Sequence, residues 1–124
     1  MLEVYGLNVN AGENSPVEFN NVSLRKGCTA TLSGNSTINL NKCGVYMVSV
    51  DASSTTTPTI QLYKNGVAQP QAQSTGGASS FVTLVQVDEN NSCCACTSPT
   101  SLQIVNTGAA ATFTNINCCV TKVV

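Results

Sequence analysis

Apolar and polar residues alternate along most of this chain with a period of two, and no segment of useful length carries the 3.6 period of a helix. In Val45-Tyr46-Met47-Val48-Ser49-Val50-Asp51 the alternation puts Tyr46, Val48 and Val50 on one face. Ile60-Gln61-Leu62-Tyr63-Lys64 alternates and ends at Asn65-Gly66, a hairpin signal because both residues tolerate positive φ. Residues 81–87 put Phe81, Val85 and Val87 on one side. Leu102-Gln103-Ile104-Val105 alternates and stops at Asn106-Thr107-Gly108, and residues 112–124 read as a last long strand. Shorter candidates are residues 2–7, 17–19, 29–32 and 37–40, with a turn at 33–36 between the last two. Loops are expected at 53–58, 71–78 and 89–99. Short strands separated by Gly, Asn, Pro and Ser turns predict one all-β domain over residues 1–124, a β-sandwich or jelly roll of two antiparallel sheets. The expected core is Tyr46, Val48, Val50, Leu62, Phe81, Val85, Leu102 and Ile104.

Two strands carry a second message. Val45 and Met47 are apolar on the face opposite Tyr46, Val48 and Val50, and Val82 and Leu84 repeat this opposite Phe81 and Val85. A sandwich buries one face of each sheet and leaves the other wet. Single exposed apolar residues are ordinary, but apolar positions on both faces of two long strands predict that one sheet is covered on its second face too. Copies of the same chain are the simplest cover. Val45, Met47, Val82 and Leu84 are therefore the expected subunit interface.

Composition narrows the function. The chain has 124 residues, 42% hydrophobic and only 9% charged, with a net charge of −1 and neither His nor Trp. Ser, Thr and Asn make up about a third of it, so solubility rests on neutral polar groups. Five cations scattered in sequence give no basic stripe, and nucleic acid is not an expected partner. No apolar run approaches the roughly 18 residues that span a bilayer, and no membrane partner is expected. Residues 1–6 lack the basic start and apolar run of a secretory signal, which leaves either a mature chain or synthesis in the cytoplasm, and Met1 favours the second expectation. The absence of imidazole removes the commonest acid–base group and metal ligand.

Three segments in order resemble one superfamily. Lys42-Cys43-Gly44-Val45-Tyr46-Met47-Val48-Ser49-Val50 is similar to the central strand of the tumour-necrosis-factor and complement-head jelly rolls. Leu62-Tyr63-Lys64-Asn65-Gly66-Val67 is similar to a hairpin of the bacterial members. Residues 101–108 and 115–123 resemble their last two strands. The resemblance implies a tumour-necrosis-factor-like jelly roll forming a homotrimer with one sheet turned to the three-fold axis. Bacterial relatives include tips of spore-surface collagen-like glycoproteins and phage head-fibre or capsid-decoration proteins. The chain has no Gly-X-Y stalk, which favours the phage type over the spore (exosporium) tip.

Seven cysteines stand out: Cys28, Cys43, Cys93, Cys94, Cys96, Cys118 and Cys119. An odd number leaves at least one free or paired between chains. The jelly-roll strand order, if it holds, gathers these thiols toward one end of the sandwich. Three readings stay open: disulfides stapling the loops, a thiolate zinc site, or reduced thiols packed as small hydrophobes. Spacing of the Cys-Cys-x-Cys type is not that of a usual zinc knuckle, and no metal or other cofactor is assigned. Cys118 and Cys119, adjacent in a strand, must face opposite ways.

Other candidates are weaker. Asp51 reads as the end of a strand, placed near a three-fold axis or capping a turn. Asp88-Glu89 lacks the further carboxylates a calcium site needs. Arg25-Lys26 and Lys42 read as loop cations. Serines and threonines abound without a base to activate them. Asn21-Val22-Ser23, Asn35-Ser36-Thr37 and Asn90-Asn91-Ser92 match the glycan acceptor pattern and read as polar turns. The expectation is a non-enzymatic structural protein, a trimeric jelly roll on a virion surface, as a capsid-decoration or head-fibre protein. Its partners would be its own copies, a capsid or other particle-surface protein, and a host-surface glycan. A trimeric binding head for a receptor or glycan, through loops 53–58 and 71–80, and a spore-surface tip are the alternatives.

Overall fold

The computed structural model describes residues 1–87 and 99–124. Eleven strands are found there: β1 (Leu2–Ala11), β2 (Ser15–Pro16), β3 (Asn21–Arg25), β4 (Ala30–Ser33), β5 (Thr37–Leu40), β6 (Gly44–Ser54), β7 (Thr59–Lys64), β8 (Val67–Thr75), β9 (Ala78–Val87), β10 (Thr100–Asn106) and β11 (Ala111–Lys122). They form two antiparallel sheets, ordered β3-β1-β11-β6-β9 and β4-β5-β10-β7-β8, with β2 added to β10. From β5 onward the chain repeatedly crosses between them: β6 lies in the first sheet, β7 and β8 in the second, β9 in the first, β10 in the second and β11 in the first. This is a jelly-roll sandwich.

Alternation builds the core. On β6 Tyr46, Val48, Val50 and Ala52 are buried, while Met47, Asp51 and Ser53 point out. Leu62, Val85, Leu102 and Ile104 are buried as expected, and Phe81 packs against the core only partly buried. Each large apolar side chain taken fully from water contributes roughly 1.5–3 kcal/mol. Tyr46 buries its ring completely and keeps its polar tip satisfied: the hydroxyl donates to the carbonyl of Lys42 at 2.7 Å. Asn65-Gly66 forms the expected hairpin turn between β7 and β8, with φ of 50° and 80°.

Several expectations are corrected. Residues 17–19 are not a strand. Val17 and Phe19 are nonetheless wholly buried, held by Val17 N–H donating to Ile104 O and Phe19 N–H donating to Asn35 O. Their apolar spacing comes from a connection that plugs the core rather than from a ladder. It passes so close to β1 that a Cβ on Gly6 would lie 2.6 Å from the Glu18 carbonyl oxygen. Residues 71–75, expected as loop, continue β8, and β3 was not anticipated. Asp51 does not end a strand: β6 continues to Ser54.

On β11 the register against β6 shifts between Phe113 and Asn115. Thr114 and Asn115 both point out, so Phe113 and Ile116 can both point in. A bulge of this kind re-aims side chains that strict alternation would send to the wrong face.

Register also sorts the strand ends. Gly44, Val87, Lys122, Leu2 and Arg25 lie toward one end of the first sheet, and Ser54, Ala78 and Ala111 toward the other. In the second sheet Leu40, Ala30, Thr100 and Lys64 share the first end. These are called below the Gly44 end and the Ser54 end.

Candidate interaction face on the first sheet

The outward face of the five-stranded sheet carries the unusual surface. Met47 on β6 stands opposite Leu84 on β9, Ser49 opposite Val82, and Val45 opposite Gln86. Val82 and Leu84 are 64% and 62% exposed and Met47 40%, while Val45 is half-buried. All four expected interface residues thus share one face, grouped toward the Gly44 end. Cys119 joins them, since Ser49 pairs with it on the other side from Val82. Further exposed apolar residues, not anticipated from the sequence, lie on the far strands: Leu7 of β1 and Val22 and Leu24 of β3. A register shift separates the two on β3: Leu24 stands opposite Glu3 of the outward face, whereas Val22 stands opposite Val4, which points into the core.

The rest of this face is polar. A shallow hollow of about 500 Å³ lies over Glu3, Asp51, Ser53, Ser80, Asn115 and Asn117. Ser23 Oγ donates to Glu3 Oε1 at 2.7 Å and Asn117 Nδ2 to Oε2 at 3.3 Å. These bonds, the Ser23 bond foremost, favour the charged carboxylate and hold its pKa below the usual value. The face therefore has an apolar half and a hydrogen-bonding half.

The structure divides the cysteines. Cys28 and Cys43 lie at the Gly44 end, in the turns before β4 and before β6. The Cys28 carbonyl accepts a bond from Asn41 Nδ2 at 2.9 Å. Cys118 and Cys119 sit well inside β11, opposite Val50 and Ser49, rather than at that end. They face opposite sides as alternation requires: Cys118 points into the sandwich and Cys119 out of it. Burial, and secondarily the neighbouring Cys119, pushes the Cys118 thiol up to about 12. These four thiols are free. Cys93, Cys94 and Cys96, and with them Asp88 and Glu89, lie outside the described residues. Among the described residues no three Cys, Asp or Glu side chains are placed to hold a metal, and no helix is long and apolar enough to cross a membrane.

The same jelly-roll fold is found in several solved structures, among them members of the tumour-necrosis-factor and complement-head type. The PRD1 vertex protein P5 superposes with a TM-score of 0.68 at 14% identity, covering 99% of this chain and 96% of its own. The globular domain of zebrafish complement 1qA gives 0.67 at 14% identity, covering 95% and 94%. Murine APRIL gives 0.69 at 11% identity, covering 98% of each chain. At such identities the likeness is one of fold. No protein-family model matches the chain, and no curated protein matches it.

Proposed function

We propose that this chain is a non-enzymatic structural protein that assembles as a homotrimer on the surface of a virion, as a capsid-decoration or head-fibre protein. The outward face of the β3-β1-β11-β6-β9 sheet turns toward the three-fold axis. The observation that carries the reading is the exposed apolar group Met47, Val82 and Leu84, continued by half-buried Val45, on the side of the sheet that a lone sandwich leaves in water. Closing three copies around an axis would cover it. The fold likeness to a viral vertex protein and to other heads of this type supports the setting. The alternative of a binding head for a receptor or glycan has less loop to use than expected, because residues 71–75 and 78–80 belong to strands.

Immunogold labelling tests the setting, using antibody against the purified protein on intact particles from the source that carries the gene. Gold on the outside of virions is the expected result. Gold confined to spores, or no gold on any particle, contradicts it.

A further inference from the structure

Five of the six glutamines in the chain lie on three neighbouring strands of the second sheet, β10, β7 and β8. Gln103 is on β10, Gln61 on β7, and Gln69, Gln71 and Gln73 on β8. Leu62, Ala72, Leu102 and Ile104 beside them point into the core, so alternation sends the amides to the outward face. Gln61 stands opposite Gln73, and Tyr63, two residues along, stands between Gln103 and Ala68. Gln71 and Gln73 are exposed, and Gln61, Tyr63 and Gln103 are half-buried. The group runs from the Tyr63 row to the bonded pair Thr59 and Thr75, toward the Ser54 end.

Hydrogen bonds hold two of the amides along the sheet. Gln61 Nε2 donates to Gln69 O at 3.2 Å and Gln103 Nε2 to Thr37 Oγ1 at 3.1 Å. Among the described residues nothing donates to the amide oxygen of either. The strands of this sheet carry one charge, Lys64 at the Gly44 end, whose Nζ donates to Gln86 O. From Thr37 to Ala68 the platform crosses three strand spacings, about 14 Å.

We infer that this outward face binds a neutral polysaccharide. The inference goes beyond the particle-surface reading and does not depend on the trimer. The face belongs to one protomer and lies on the other side of the sandwich from the Met47 and Leu84 patch. A side-chain amide offers two donors and an acceptor, and a sugar hydroxyl both gives and takes a hydrogen bond. Amides already tethered have less freedom to lose when such a ligand arrives. The Tyr63 ring, with small Ala68 on one side, supplies an apolar surface for a sugar ring. A nucleic acid needs a basic track, and this face has none. A protein interface gathers apolar and aromatic side chains at its centre, where this face has mostly amides. A partner strand is also disfavoured, because Pro70 and a register shift interrupt the β8 edge.

Native gels cast with hydroxyethylcellulose, dextran or galactomannan test this, with alginate as an anionic control. The wild type is expected to be retarded by at least one of the neutral polymers and not by alginate. Affinity should fall roughly tenfold in Gln61→Ala/Gln103→Ala, which removes both tethered acceptors. Gln71→Ala/Gln73→Ala changes only exposed positions and should weaken binding about threefold or more. Asn20→Ala removes an exposed amide outside this sheet and should leave binding unchanged. Melting curves show that each variant is folded. No retardation by any neutral polymer, equal retardation by alginate, undiminished binding in Gln71→Ala/Gln73→Ala, or an equal loss in Asn20→Ala would each overturn the inference.

Discussion

Met47 of β6 faces Leu84 of β9 directly across the ladder, on the side of the sheet turned away from the core, and both are exposed. Directly opposed apolar side chains stabilise a sheet by only about 0.2–1 kcal/mol. Left in water they are also a sticky surface. Their placement has a physical purpose if that face is covered by another subunit.

Charge introduced at this patch therefore separates the free protomer from its assembly. In the protomer, Val82→Asp and Leu84→Asp change exposed positions and should shift unfolding by no more than about 0.5 kcal/mol. In a covered face each would strand a carboxylate away from water, once per subunit, at a cost of several kcal/mol. Folded monomer, measured by light scattering with an unchanged melting curve, is expected from either variant. A trimer surviving in both would remove this face from the interface.

Thiol chemistry should report the same face independently. Cys118 points into the core and its pKa is pushed up to about 12, so native protein should not alkylate there at neutral pH. Cys28 is exposed and should react first. Cys119, beside the apolar patch, should be protected in the assembled protein and become reactive in the Leu84→Asp variant. Mass-mapped iodoacetamide labelling reads all of these.

The raised Cys118 pKa also sets a pH dependence. The folded state holds this proton more tightly than the unfolded chain, whose thiol titrates near the ordinary 9.0. Between that value and about 12 the unfolded state binds fewer protons, so stability falls as pH rises through the window. Urea midpoints should decline above pH 9.0 in the wild type and less steeply in Cys118→Ala.

Two positions hold the fold by unusual means. Asn106 is wholly buried at the end of β10, with Nδ2 donating to Ala11 O and Ala109 O at 3.1 and 2.9 Å and Oδ1 accepting from Gly108 N–H at 3.1 Å. Asn106→Ala would orphan these backbone groups and should cost about 2–4 kcal/mol in denaturant unfolding.

Gly6 sits under the connection that carries Val17 and Phe19 into the core. Gly6→Ala would drive a methyl into the Glu18 carbonyl. A loss of about 1–3 kcal/mol is expected, with Val17 and Phe19 amides exchanging faster in hydrogen-exchange measurements.

How far the sequence was legible follows from what alternation can carry. It located β6, β7, β9 and β10 and the core face of each, because their apolar residues fall every second position between clear turns. It misread residues 17–19, since buried apolar spacing looks the same in a core-plugging connection as in a strand. It missed residues 67–75 as a strand because Gln, Ser and Thr dominate this edge of the second sheet, where only Ala72 is buried. The two-faced strands pointed to one sheet face, where the structure does gather Val45, Met47, Val82 and Leu84.

Native mass spectrometry, without and then with reductant, tests the central claim most directly. The account predicts one species near three times the 12.8 kDa chain, surviving reductant, because an apolar face and not a sulfur bridge holds it together. A monomer under both conditions would contradict it.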